Sequence, residues 1–183
     1  MKILLVGGSK SGKSMTAQRL TRTLSGTASP YYWATMEPVD GEDLARIERH
    51  RAERAGWGFR TIERSRELTV ILPQLDADAA VLFDSVTACL SAEMFPPDGA
   101  PDVDAAARAA RELLTVSEHF AHFVCVCDAV WFDGAAYDDW TERYRRGLAE
   151  ICRALAAQFD VVAEITAGLP VIWKGKQIYE TLT

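Results

Sequence analysis

The residues best placed to do chemistry come early, at Gly7-Gly8-Ser9-Lys10-Ser11-Gly12-Lys13-Ser14. Their spacing is G-x-x-x-x-G-K-[ST], set between an apolar run and a helical pattern, the context a phosphate loop requires. Glycines let the backbone curl so that successive N–H groups face phosphate oxygens, and the helix N-terminus adds partial positive charge. Within this loop Lys13 is placed to reach the terminal phosphates and the Ser14 hydroxyl to join a magnesium shell. Gly7, Gly8, Ser9, Lys10, Ser11 and Gly12 complete the candidate nucleotide-binding set. The loop reads phosphates and not the base, since neither an Asn-Lys-x-Asp motif nor a glycine-rich kinase lid is present.

A phosphate loop of this kind works with a carboxylate at the end of a neighbouring strand. Asp84 closes the apolar run 79–83 and is the natural metal ligand, although Asp is also a favoured helix N-cap. Both readings stand at this point. His50 lies in the charged segment Arg46-Ile47-Glu48-Arg49-His50-Arg51-Ala52-Glu53-Arg54. On a helix, Arg46 and Arg54 fall one turn before and one turn after it. Flanking cations lower an imidazole's pKa, so a neutral ring could attack phosphorus while arginines hold its oxygens. A solvated charged helix with an incidental histidine is the alternative. His119 and His122 read as helix-end or loop residues.

The elements that must position these residues follow from the apolar pattern. Strands are expected at 2–6, 31–34, 59–62, 79–84, 123–127, 160–166 and 171–173, the last two around Gly168-Leu169-Pro170. Helices are expected at 12–24, 42–55, 65–75, 85–95, 103–120 and 138–159, with the proline-rich stretch 96–101 a flexible loop. Such alternation predicts an α/β fold of the P-loop NTPase-like, three-layer kind. Its central sheet is largely parallel, with helices on both faces. The 183 residues are read as a single nucleotide-binding domain, 1–183.

Composition restricts the partners. With 49% hydrophobic and 25% charged residues and a net charge of -6, the chain reads as a globular protein that does not bind nucleic acid. No apolar run approaches the ~20 residues of a membrane helix, and no signal segment opens it, so a cytoplasmic location without membrane partners is expected. Cys125 and Cys127 alternate on a candidate strand and are expected on its opposite faces, as buried free thiols rather than metal ligands.

Four stretches together resemble the bifunctional adenosylcobinamide kinase/adenosylcobinamide-phosphate guanylyltransferase family of cobalamin synthesis. They are the phosphate loop, Tyr32-Trp33-Ala34-Thr35 with Asp43, Arg46-Ile47 and His50-Arg51, Leu82-Phe83-Asp84-Ser85-Val86-Thr87, and Ala167-Gly168-Leu169-Pro170 running to Lys174-Gly175. The resemblance implies that His50 accepts GMP from GTP as a guanylyl-histidine and passes it to adenosylcobinamide phosphate. It also implies a kinase step that uses ATP or GTP on adenosylcobinamide. Lys13 and Ser14 would serve phosphates and Mg2+, Asp84 the metal, and Arg46, Arg49 and Arg51 would neighbour the phosphates. The substrates implied are nucleoside triphosphate and corrinoid, and the assembly a homo-oligomer, a trimer. The chain departs from the family's Ser-Asn-Glu-Val-Gly at Cys127-Asp128-Ala129-Val130-Trp131, from its Gly-x-x-Asn-Gln at Ala149-Glu150-Ile151-Cys152-Arg153, and from an asparagine at Ala92. A diverged small-molecule kinase or NTPase with a changed acceptor, or a non-catalytic nucleotide sensor, remains as an alternative reading.

Overall fold

In the computed structural model, residues 1–38, 41–97, 99–131 and 134–183 are described; the side chains of Glu42, Asp43, Leu44, Arg46, His50 and Glu53 lie outside that description. The strands are β1 (Lys2–Gly7), β2 (Tyr31–Ala34), β3 (Arg60–Glu63), β4 (Ala80–Asp84), β5 (His122–Asp128), β6 (Val161–Thr166) and β7 (Leu169–Lys174). The helices are α1 (Lys13–Ser25), α2 (Gly41–Glu53), α3 (Val86–Met94), α4 (Ala105–His119), α5 (Asp139–Gln158) and α6 (Lys176–Glu180). The strands form one sheet in the order β3-β2-β4-β5-β1-β6-β7. Every pairing is parallel except the β6–β7 hairpin.

Short β-branched and aromatic runs buried on both sides suit a covered parallel sheet. Alternate residues serve two cores. Leu4, Trp33, Phe83, Phe123, Cys125 and Cys127 pack under α3, α4 and α5. Ile3, Leu5, Tyr32, Leu82, Val124 and Val126 pack on the other side with Ala17 and Leu20 of α1 and Tyr179 of α6. Each fully buried side chain of this size contributes about 1.5–3 kcal/mol. The three-layer α/β fold is the one expected.

Three expectations are corrected. Cys125 and Cys127 share one core, because residues two apart on a strand face the same way; all four cysteines are buried and free. The expected helix at 65–75 is a 3-10 helix, Leu68–Gln74, with Pro73 inside it; proline offers no N–H to an α-helical ladder. The closing strand is longer than 171–173 and contains Pro170, paired with Ile165 at the sheet edge, where a missing donor is tolerated.

Candidate functional site

The crossing order places the C-terminal ends of β1, β5, β4 and β2 side by side, and the residues of interest sit there. The backbone after β1 turns through Lys10 at φ 57° and Gly12 at φ 94° before α1 begins at Lys13. A Cβ on Gly7 would fall 2.5 Å from the Ile165 carbonyl oxygen and 2.8 Å from Ser11 Oγ, so only glycine fits. The Gly168 amide of the β6–β7 turn donates to the Ser11 carbonyl at 2.8 Å, which seats that turn on the loop. Ser11 Oγ is buried and without a partner among the described residues. A hydroxyl left over inside a glycine-rich loop suits a bound phosphate.

Lys13 is 7% exposed. Its ammonium donates to the Gly8 carbonyl at 3.1 Å and lies 2.5 Å from Asp128 Oδ1. Asp128 ends β5, level with Gly7 in the parallel register, and its own N–H donates to Thr87 Oγ1 at 2.8 Å. In the sequence Asp128 stands out only as a departure from the family pattern, whereas the structure makes it the loop's carboxylate. The signal was available, since a carboxylate closing the apolar strand 123–127 mirrors Asp84 closing 79–83. Beside Asp128 opens a cavity of about 320 Å³ lined by Thr87, Ser91, Ala92, Phe95 and Tyr144. Tyr144 donates to the Thr87 carbonyl at 2.9 Å, and burial raises its phenol pKa above the ordinary value. Trp131, which replaces a family glycine, packs partly buried against the larger core.

Asp84 ends β4, one strand beyond β5, and is level with Val126 rather than with Asp128. It is not the helix cap: Ser85 caps α3, accepting the Ala88 N–H at 3.2 Å. Asp84 Oδ2 instead accepts the Tyr32 hydroxyl at 2.6 Å. Thr35 ties the two strand ends together, its hydroxyl bonding the Ser85 carbonyl and the Ser85 N–H at 2.8 Å each. Asp84, Tyr32, Thr35, Arg51, Arg54 and Glu63 line a second cavity of about 340 Å³ at the ends of β2, β3 and β4.

Helix α2 forms the far wall of that cavity. Arg51 is bonded to Glu48 at 2.7 Å and to Glu63 at 2.8 Å, and these hydrogen bonds, Glu63's first, raise its pKa further. Arg49 is exposed. His50 and Arg46 belong to α2, with side chains outside the described residues. Ser14 begins the first turn of α1, half-buried beside Lys13. The phosphate-loop residues are therefore gathered at one strand end, whereas Asp84 and the α2 arginines gather in a neighbouring cavity. Among the described residues no cluster of three or more His, Cys, Asp or Glu could hold a metal. Among the described residues no helix is long and apolar enough to cross a membrane.

The bifunctional adenosylcobalamin biosynthesis protein CobP of Pseudomonas aeruginosa is 31% identical over 180 residues, covering 97% of this chain and 100% of the relative. The bifunctional adenosylcobalamin biosynthesis protein CobU of Escherichia coli K12 is 34% identical over 105 residues, 57% of this chain and 56% of the relative. Its namesake from Salmonella typhimurium is 36% identical over 104 residues, 56% of this chain and 55% of the relative. The profile of the family described as cobinamide kinase / cobinamide phosphate guanyltransferase matches residues 3–172, and the chain belongs to that family.

Proposed function

We propose that this chain, as one nucleotide-binding domain, phosphorylates adenosylcobinamide with ATP or GTP and then transfers GMP from GTP to adenosylcobinamide phosphate. Membership makes it a transferase of cobalamin biosynthesis. The observation that carries the reading is Lys13, buried in a formed phosphate loop at the end of β1, in a chain of that family.

In the kinase step Lys13 and the loop amides hold the triphosphate, and the acceptor hydroxyl displaces the nucleoside diphosphate from the terminal phosphorus. In the second step a His50 ring nitrogen attacks the α-phosphorus of GTP. A P–N bond forms, the bond to the β-phosphate oxygen breaks, and pyrophosphate leaves. A phosphate oxygen of adenosylcobinamide phosphate then displaces the imidazole. Arg46, Arg49 and Arg51 are assigned as phosphate neighbours, with Arg51 held by glutamates until a ligand competes. Ser14 and Asp84 are oxygen donors of the kind Mg2+ prefers, and Asp84 keeps a carboxylate oxygen beyond the one taken by Tyr32. Bound there, Mg2+ would supply charge neutralisation at the phosphates.

We assign the protein to the cytoplasm, in keeping with its four free cysteines, with small molecules rather than nucleic acid or membrane as partners. We also propose a homo-oligomer, a trimer by resemblance. Leu169, Val171 and Trp173, 71%, 47% and 69% exposed along edge strand β7, support a covered surface.

The test uses GTP labelled at the α-phosphate. Wild-type protein is expected to retain acid-labile label, and His50→Ala none. No label on wild type, or undiminished label on H50A, rejects the histidine route.

A further inference from the structure

We infer that Asp128 is the proton acceptor of the kinase step, taking the proton from the acceptor hydroxyl as that oxygen meets the terminal phosphorus. This rests on the reading that the chain phosphorylates an alcohol, and deepens it by naming where the proton goes.

Asp128 ends β5 opposite Gly7 in the parallel register, one strand spacing of about 4.8 Å from the start of the phosphate loop. Its backbone is pinned from two sides. The Asp128 N–H donates to Thr87 Oγ1 at 2.8 Å, and the Ala129 N–H donates to the Gly7 carbonyl at 3.0 Å. The main chain thus fixes the carboxylate beside the loop, where its ion-pair partner is the Lys13 ammonium at 2.5 Å.

Asp128 also lines the cavity of about 320 Å³ that holds Thr87, Ser91, Ala92, Phe95 and Tyr144. The carboxylate therefore stands between the loop that grips the phosphoryl donor and a space open to an acceptor. Phe95, 40% exposed, meets Trp140 and Tyr144 with ring centroids 6.5 and 6.2 Å apart. That aromatic cluster suits a large carbon-rich acceptor whose hydroxyl-bearing arm enters the cavity.

The other groups nearby are unsuited to the task. Glu37 takes the Ser65 hydroxyl and Arg66. The Tyr144 hydroxyl donates to the Thr87 carbonyl at 2.9 Å, and burial keeps the phenol protonated. Asp84 lines the neighbouring cavity and accepts the Tyr32 hydroxyl.

Beside an ammonium a carboxylate holds a proton poorly, and beside phosphate it holds one better. Filling the loop draws Lys13 onto the phosphates and leaves the carboxylate in the second setting. The hydroxyl oxygen then bonds to the terminal phosphorus, and the bond from that phosphorus to the bridging oxygen breaks. Nucleoside diphosphate leaves, and the hydroxyl proton passes to a carboxylate oxygen of Asp128 and on to water. Guanylyl transfer releases no such proton, because its acceptor is a phosphate oxygen already ionised. Asp128 thereby serves one of the two activities.

The experiment measures single-turnover phosphorylation of adenosylcobinamide at saturating ATP, on full-length wild type, Asp128→Asn and Asp128→Glu. D128N should be slower by about 100-fold or more, the scale of a lost general base, while binding a non-hydrolysable ATP analogue at least as tightly as wild type. D128E, which keeps a carboxylate one methylene displaced, should fall between. Within D128N, the ratio of phosphorylation to label uptake from α-labelled GTP should drop by a similar factor. D128N turnover within threefold of wild type overturns the inference. A loss matched by an equal loss of analogue binding, or by an equal loss of label uptake, also overturns it and leaves Asp128 as a support for Lys13. D128N melting within a few degrees of wild type separates the effect from misfolding. Wild type that binds ATP yet leaves adenosylcobinamide unphosphorylated rejects the kinase reading itself, and the proton role with it. Wild type active beside an equally active D128N rejects Asp128 alone.

Discussion

Lys13 and Asp128 meet at 2.5 Å across the mouth of the phosphate loop, so the cation that receives a triphosphate already has a carboxylate on it. The side chains are 8% and 22% exposed, so solvent screens the pair less than it would a surface contact. An incoming phosphate must displace Asp128 or accept a negative neighbour.

Asp128→Asn, the residue the family typically carries there, should therefore tighten nucleotide binding. Removing one charge from a partly buried contact is worth about 1 kcal/mol, or roughly 5-fold in Kd. Calorimetric titration with a non-hydrolysable ATP analogue checks it, and a weaker-binding variant would show that Asp128 helps to hold the nucleotide.

Lys13→Ala should lower kinase turnover by at least ~100-fold, the scale of losing one preorganised donor to the reacting phosphate. Single-turnover phosphorylation of the corrinoid acceptor reads it directly. Turnover within threefold of wild type would move the phosphate clamp elsewhere.

Gly7→Ala should disrupt the loop and the fold together. Its Cβ would meet the Ile165 carbonyl oxygen at 2.5 Å, and backbone on both sides must shift. A cost of about 1–3 kcal/mol is expected from overpacking, read as a lowered melting temperature with weakened ATP binding. An unchanged melting temperature would contradict the close approach.

Helix α5 supplies a pH-dependent test. Asp138 caps it, accepting the N–H groups of Trp140 and Thr141 at 3.0 and 3.1 Å and the Thr141 hydroxyl at 2.6 Å. The Thr141 hydroxyl, then the backbone donors, hold its carboxyl below the usual pKa. A depressed folded pKa means that the unfolded chain binds the proton more readily. The cap's contribution is then complete above the ordinary aspartate pKa of ~3.9 and is lost as pH falls through the lower folded value. Asp138→Ala should lower stability at neutral pH by removing the cap, with the two denaturation curves converging in acid. A constant gap down to pH 2 would assign the loss to packing.

The parts of this molecule written in local pattern were legible before any coordinates. Gly7 to Ser14 sits between an apolar run and a helix, so strand, loop and helix followed from one stretch. Asp128 was harder, because its meaning depends on β5 lying beside β1, a pairing between residues over a hundred positions apart. Asp84 was expected either to cap α3 or to bind metal. Its contact with the Tyr32 hydroxyl depends on the pairing of β2 with β4, which local pattern does not encode. The apolar pattern at 65–75 suits an α-helix, whereas in the chain the N–H missing at Pro73 prevails and a 3-10 helix forms.

The turn between β6 and β7 rests on the phosphate loop through the Gly168 amide and the Ser11 carbonyl. Anything that stiffens the loop thereby slows the fraying of the hairpin, and fraying of the hairpin loosens the loop by the same free energy. The Gly168 amide is thus a natural reporter, its hydrogen exchange slowing as nucleotide fills a loop on the opposite side of the bond. Strand β7, carrying exposed Leu169 and Trp173 at the sheet's outer edge, inherits that stiffness, so a neighbour pressed against it would feel whether the loop is full.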